Sequence, residues 1–205
     1  MGPVLGERWE KALLHASRIH ALQERKGSGV PYVSHLLSVA ALVLEAGGDE
    51  DQAIAALLHD AAEDQGGEPR LADIERRFGP RVAAVVRACT DTTETPKPPW
   101  RARKEAYIAH MPALREELPE ALLVSLADKL HNARTILADY RAAGEPLFDR
   151  FTGARDGTLW YYGALVHAYR AMALDGPLLD ELERTVAALH TLAGYNGAAA
   201  IPDRS

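Results

Sequence analysis

Apolar residues recur at intervals of three and four positions along nearly the whole chain, which is the spacing of amphipathic helices. No convincing two-residue alternation bounded by hairpin turns is present. The pattern therefore predicts an all-α fold, a bundle of about eight to nine helices. The expected helices cover about 7–24, 34–46, 51–64, 70–78, 80–93, 100–110, 119–141, 155–174 and 177–193.

Composition limits the domain organisation and the classes of partner. The chain has 205 residues, 47% of them hydrophobic, so we expect a single domain over 1–193 and a loose C-terminal tail over 194–205. The only cysteine is Cys89, which excludes an internal disulfide framework and favours a reducing cytoplasm. A net charge of -6 and the lack of a membrane-length apolar run give no general attraction for nucleic acid or membranes. We expect a cytoplasmic protein without nucleic-acid or membrane partners, and the oligomeric state stays open.

The purely apolar run 53–58 is followed at once by four ionisable residues, His59, Asp60, Glu63 and Asp64. If the run continues as a helix, His59 and Glu63 are four positions apart, as are Asp60 and Asp64, so all four side chains share one side over about one turn. Burying such a cluster unpaired costs several kcal/mol per charge, and a divalent cation is the simplest compensation. The pattern predicts a metal site.

Two residues elsewhere strengthen this prediction. His35 begins an apolar helical segment, and Asp128 lies inside a third and longer apolar helix. Each alone would suit a hydrogen-bonded structural residue. The combined set, His35, His59, Asp60 and Asp128, offers two nitrogen and two oxygen ligands and leaves positions for water. Mixed His and Asp ligation suits Mn²⁺ or Fe²⁺ better than a closed structural zinc site, although Zn²⁺ stays open.

Two basic segments could border this cluster. The first is a glycine-containing loop with Arg25, Lys26 and Ser28, for which an ordinary interhelical loop is the alternative. The second follows a proline-rich stretch and includes Arg101 and Lys104. Cations in a first helical turn oppose the macrodipole at a cost of several tenths of a kcal/mol each, so an anionic ligand would explain them. A solvated basic face is the alternative.

These motifs resemble the HD-domain metal-dependent phosphohydrolases, and more narrowly the (p)ppGpp hydrolase domain of RelA/SpoT homologues and the stand-alone small alarmone hydrolases. The similar stretches are 25–40, 56–64, 78–86 and 126–134. The resemblance implies an HD-domain helical bundle. It also implies one divalent ion, usually Mn²⁺, held by the residues His35, His59, Asp60 and Asp128. Glu63 and Asp64 match the pair that positions or deprotonates the attacking water.

The resemblance further implies the substrate and its contacts. The family reaction hydrolyses the 3′-diphosphate of ppGpp or pppGpp, giving GDP or GTP and pyrophosphate. The matching substrate contacts are Arg25, Lys26, Ser28, Asn132 and one of Tyr161 and Tyr162. Arg101 and Lys104 are expected contacts from the basic segment, which is richer than its equivalent in the large bifunctional enzymes and suits a different phosphate pocket. Gln65 stands where the family usually has threonine. No synthetase domain follows in this sequence, so we expect a hydrolase only.

Two other functions stay open. One is an HD hydrolase acting on another nucleotide, such as NADPH or a nucleoside monophosphate. The other is a non-catalytic HD module that binds a nucleotide or a partner. Degenerate modules are expected to lack ligands or the general base, whereas this sequence has all four ligands and both carboxylates.

Overall fold

The computed structural model describes residues 4–94 and 96–201. Within these ranges the chain forms ten α-helices, one 3₁₀ helix and no β-strand, which confirms the all-α prediction. The α-helices are α1 (Glu7–Ile19), α2 (Val33–Glu45), α3 (Glu50–Leu58), α4 (Ala61–Asp64), α5 (Gly67–Phe78), α6 (Pro80–Cys89), α7 (Trp100–Glu117), α8 (Pro119–Ala143), α9 (Ala154–Ala171) and α10 (Pro177–Leu192). The 3₁₀ helix covers Glu145–Arg150. None of the described helices combines the length and the apolarity needed to span a bilayer.

The ends of α1 and α7 differ most from the prediction. The helix α1 stops at Ile19 rather than near residue 24, and the chain then turns into a loop in which Gly27 and Gly29 have φ of 73° and 68°. Such left-handed conformations favour glycine and do not continue a helix. In contrast, α7 runs past its expected end and contains Pro112. The buried side chains of Met111 and Leu114 continue its apolar face, and this burial offsets the donor that proline lacks.

The chain forms two compact units, which are described separately. The first comprises Met1–Pro98 and Ala113–Asp128. Its centre is α3, whose last six residues, 53–58, are completely buried where α1, α2 and α6 pack around them. The apolar run predicted from the sequence is thus the core of this unit, and the motif that follows it starts at the end of the most buried helix.

The second unit comprises Pro99–Pro112 and Lys129–Ser205, and α9 packs against α10 within it. The backbone N–H of Ile201 donates to His190 Nδ1 at 3.0 Å, and Ala199 and Ile201 are both buried. The loose tail expected over 194–205 stays a prediction, although Ala199 and Ile201 within it are buried and Ile201 bonds to α10. Residues 202–205 lie outside the described residues. A single domain over 1–193 stays a prediction.

Candidate metal centre

The four residues predicted to bind a metal lie together in the first unit. His35 is completely buried near the start of α2, His59 follows α3, and Asp128 is buried within α8. His35 Nε2 lies 3.3 Å from His59 Nε2, and Asp128 Oδ1 lies 3.2 and 3.5 Å from these two nitrogens. Asp60 Oδ2 lies 3.0 Å from His59 Nε2 and 3.7 Å from His35 Nε2. Three helices and one turn therefore bring two nitrogens and two oxygens to one point.

These separations match the ligand spacing around a metal ion. Nitrogen and oxygen ligands at about 2.1 Å from an ion lie about 3.0 Å apart at adjacent octahedral corners and about 3.4 Å apart in a tetrahedron. One ligand atom from each of His35, His59 and Asp128 lies within 4.8 Å of the other two. The Asp60 carboxylate stands beside this group as a fourth donor. The residues present therefore fit a divalent cation.

A backbone contact assigns the tautomer of His59. Its Nδ1 lies 2.8 Å from the carbonyl oxygen of Ala56 and donates to it, so the lone pair of Nε2 faces the cluster as a metal ligand requires. In the metal-free protein burial lowers the pKa of His59, but the carboxylates of Asp60 and Asp128 raise it more, to well above its ordinary value. Burial raises the pKa of Asp60, but the charge of His59 and hydrogen bonds from His35 and His59 together hold this pKa well below its usual range. A bound cation would replace the His59 proton as the positive charge that balances the carboxylates of Asp60 and Asp128.

Tyr32 orients Asp60, although the sequence interpretation did not include Tyr32 among the site residues. Its hydroxyl donates to Asp60 Oδ2 at 2.5 Å. Burial, followed by the negative charge of Asp60, raises the pKa of Tyr32 far above its ordinary value, so the phenol is a neutral donor. Its ring stacks on His20 at a centroid distance of 5.4 Å. The only sequence signal for Tyr32 was its place three residues before His35.

The helix predicted over 51–64 is interrupted at the metal site. The helix α3 ends at Leu58, α4 begins at Ala61, and Asp60 between them has φ −93° and ψ −2°. These angles lie in the sparsely populated bridge region, where many active-site residues are found. The expected single stripe of four ionisable side chains is therefore wrong. His59 and Asp60 contact the cluster, whereas the two later carboxylates have partners elsewhere.

Glu63 and Asp64 contact different groups. Glu63 Oε1 accepts from Lys97 Nζ at 2.8 Å, and Asp64 Oδ2 accepts from Gln23 Nε2 at 2.7 Å. Asp64 is exposed, but the protein atoms around its carboxyl reduce its hydration and raise its pKa, the charge of Asp60 adds to the rise, and the Gln23 bond opposes it. Neither Gln23 nor Lys97 was among the predicted site residues. Lys97 had one signal, its place in the proline-rich segment before α7.

The predicted nucleoside loop lies between α1 and α2. The backbone N–H of Arg25 donates to the carbonyl of Val30 at 2.8 Å, and the N–H of Ser28 donates to the carbonyl of Arg25 at 3.2 Å. The Arg25 guanidinium lies 5.8 Å from the ring centroid of Tyr32. Lys26 and Ser28 are exposed. These polar residues thus lie in the same segment as Tyr32, which donates to Asp60.

The other predicted substrate contacts lie in the second unit. The Arg101 guanidinium lies 3.2 Å from the ring centroid of Trp160, and Lys104 Nζ lies 5.1 Å from that of Tyr161. Cation–π contacts of this kind stabilise basic residues in the first turn of α7 without requiring an anionic ligand. Tyr161 and Tyr162 are buried in α9. Asn132 follows Asp128 by four residues in α8.

Comparisons with known proteins identify the family of the chain. The family model of the HD domain matches residues 12–158. Over 134 residues the chain is 34% identical to the guanosine-3′,5′-bis(diphosphate) 3′-pyrophosphohydrolase of Aquifex aeolicus, covering 65% of this chain and 18% of the relative. It is 39% identical over 127 residues to the GTP pyrophosphokinase of Streptomyces antibioticus, covering 62% of this chain and 14% of the relative. The chain thus spans less than a fifth of the length of either relative.

Among the solved structures that resemble most of the chain is that of a metazoan ortholog of SpoT that hydrolyses ppGpp and plays a role in starvation responses. The TM-score is 0.73 at 27% identity, and the match covers 90% of this chain and 96% of that chain. The family match extends over well more than half of the sequence, and its range includes all four residues of the cluster. The chain belongs to the HD domain family.

Proposed function

We propose that the protein is a metal-dependent phosphohydrolase that removes the 3′-diphosphate of ppGpp or pppGpp, releasing pyrophosphate and GDP or GTP. The observation that carries this proposal is the convergence of His35, His59 and Asp128 on one point, with Asp60 beside them. The substrate is supported by the named activities of the Aquifex relative and of the SpoT ortholog. We place the reaction in the cytoplasm, with which a single cysteine is consistent.

We propose Mn²⁺ as the ion. Two imidazole nitrogens and two carboxylate oxygens form a donor set of mixed hardness, which suits Mn²⁺ better than a thiolate site would. When bound, a divalent cation polarises a phosphoryl oxygen and lowers the pKa of water to near neutrality. The protein contributes the tautomer of His59 and the Tyr32 hydroxyl, which fix the ligand atoms of His59 and Asp60 in advance.

Glu63 and Asp64 are proposed as the groups that orient the attacking water and take its proton. Glu63 accepts at both oxygens, from Lys97 Nζ at 2.8 Å and from the backbone N–H of Asp91 at 3.4 Å, whereas Asp64 is held at Oδ2 by Gln23 Nε2. These bonds orient both carboxylates. Lys97 is a cation beside a proposed base, and its half-exposed ammonium is suited to meet a diphosphate as a point charge. We therefore add Lys97 to the proposed substrate contacts.

The remaining proposed substrate contacts belong to two groups, one in the loop between α1 and α2 and the other in the second unit. Arg25, Lys26 and Ser28 lie in one loop and offer a guanidinium, an ammonium and a hydroxyl to a nucleoside. Those in the second unit are Arg101, Lys104, Asn132, Tyr161 and Tyr162. The two tyrosines are only 6% and 7% exposed, which makes them the least accessible members of the set.

The test is product analysis with several nucleotides. Purified protein is incubated with ppGpp, pppGpp, NADPH or a nucleoside monophosphate, with Mn²⁺ or with EDTA, and pyrophosphate and orthophosphate are measured separately. We expect pyrophosphate from ppGpp and pppGpp only with metal. Asp60→Asn should abolish release, whereas Asp73→Asn, which alters a carboxylate paired with Arg77 on α5, should not. Orthophosphate from NADPH or from a monophosphate, without pyrophosphate from ppGpp, would reject the proposed substrate.

A further inference from the structure

The side chain of Gln23 joins the proposed base Asp64 to two other residues of the first unit. Gln23 Nε2 donates to Asp64 Oδ2 at 2.7 Å, across 41 positions of sequence. On its other side, Gln23 Oε1 lies 2.6 Å from His20 Nδ1 and accepts from Gln65 Nε2 at 2.7 Å. All four side chains thus belong to one hydrogen-bonded chain that ends on the Asp64 carboxylate.

The charge of Asp64 dictates the direction of every bond in this chain. An ionised carboxylate only accepts, so Gln23 must present its NH₂ group to Asp64 and its carbonyl oxygen to His20 and Gln65. Both of these partners must then donate. His20 is consequently the tautomer with hydrogen on Nδ1. Its Nε2 is buried and has no hydrogen-bond partner among the described residues, so Nδ1 is the ring atom that bonds to Gln23. Burial lowers the pKa of His20, in agreement with a neutral ring.

This hydrogen-bonded group is also connected to the candidate metal centre, through His20 and Tyr32. The His20 ring stacks on Tyr32, and the Tyr32 hydroxyl donates to the ligand Asp60. The backbone of Gln23 is also held, because its carbonyl accepts from the Tyr32 N–H at 2.8 Å. The backbone of Gln23 is therefore held beside that of Tyr32, and the Gln23 side chain extends from this position to Asp64.

We propose that Gln23 is a positioning residue that fixes the Asp64 carboxylate for proton acceptance, and that His20 and Gln65 fix the direction of the Gln23 amide. The inference rests on the proposed function, and it gives one carboxylate of the Glu63 and Asp64 pair a defined orientation. It also accounts for Gln65. A glutamine amide can donate to Gln23 across a distance that a shorter side chain at this position would not span.

A double-mutant cycle tests the inference on the full chain. Gln23→Met keeps the length of the side chain and removes the amide, and we expect kcat for pyrophosphate release from ppGpp to fall about tenfold or more with KM changed less than about twofold. In the Asp64→Asn background the same substitution should cause no further loss beyond about twofold, because its effect passes through Asp64. Gln65→Met should give a smaller loss that also vanishes in that background.

The matched control is Gln52→Met. Gln52 also uses its amide in hydrogen bonds, to the N–H of Asp49 and the carbonyl of Glu120, so its loss should lower the thermal midpoint without changing kcat. A second readout needs no turnover: the side-chain amide NMR resonance of Gln23, identified by its loss in Gln23→Met, should shift in Asp64→Asn.

The outcomes are distinguishable. An active wild type in which the Gln23 and Asp64 substitutions multiply their losses would overturn the inference and leave the proposed function standing. So would an unchanged Gln23 resonance in Asp64→Asn. A wild type that releases no pyrophosphate from ppGpp would instead reject the proposed function, and the positioning role with it.

Discussion

Substitution of Asp128, a proposed metal ligand, should remove most of the thermal stabilisation by Mn²⁺. Asp128 is buried, and its Oδ1 lies 3.2 and 3.5 Å from the Nε2 atoms of His35 and His59, so it faces the centre of the cluster. At about 100 times its dissociation constant a ligand stabilises the folded state by about 2.7 kcal/mol. For a chain of this size about 1 kcal/mol shifts Tm by about 2–4 °C, so wild-type protein should gain about 5–11 °C.

Asp128→Asn retains one oxygen but loses the charge. If its affinity for Mn²⁺ falls about 100-fold, the same metal concentration supplies only about 0.4 kcal/mol, or about 1–2 °C. The assay is calorimetry in EDTA and then at increasing Mn²⁺. Asp73→Asn serves as the control and should keep the full rise, because Asp73 contacts arginines of its own helix. An equal metal-dependent rise in Asp128→Asn and wild type would refute the reasoning.

Four further predictions concern the base, the diphosphate, the C-terminal segment and pH. Glu63→Gln should keep the Mn²⁺-dependent rise in Tm and lower kcat by about 10²- to 10⁴-fold; turnover at the wild-type rate would exclude Glu63 as the base. Lys97→Met should raise KM for ppGpp at least severalfold with a smaller change in kcat, because it removes a cation from beside Glu63, and steady-state kinetics with an unchanged KM would contradict this. Gly163→Ala should destabilise the fold by about 1–3 kcal/mol, since a Cβ there would clash with the carbonyl oxygen of Ala199. The control is Gly6→Ala, where the atom nearest to the new Cβ is 3.4 Å away. Equal midpoints of the two variants in a denaturant titration would argue against the packing of residues 199–201 on α9. Burial lowers the pKa of His190 from its ordinary value of 6.5, so the unfolded state binds more protons than the folded state. The free energy of unfolding should therefore fall as pH drops below about 6.5. Urea unfolding at several pH values should show a smaller fall for His190→Gln.

The sequence was sufficient to predict the helical class and to single out residues that the structure brings together. Burial explains this success, because ionisable side chains such as His35 and Asp128 within apolar helices require compensation whatever the tertiary arrangement. Their roles as ligands stay a prediction, although the structure brings them together.

Other features had no local signal. The bond between Gln23 and Asp64 joins residues 41 positions apart, and nothing in either segment alone indicates the other. The end of α1 at Ile19 was missed because apolar residues continue at helical spacing beyond it, although Leu22 is almost fully exposed. Gly163 inside α9 gave no sign that a backbone segment approaches it closely.

The interruption between α3 and α4 has a consequence for the chemistry of the ligands. In an unbroken helix the carbonyl of Ala56 would accept from the backbone N–H of Asp60, four residues on. Here α3 ends at Leu58, and that carbonyl accepts from His59 Nδ1, the bond that sets the tautomer of the imidazole. A straight helix through residues 58–61 would rotate Asp60 relative to His59. Substitutions that favour such a helix should therefore weaken metal affinity even when all four residues of the cluster are intact.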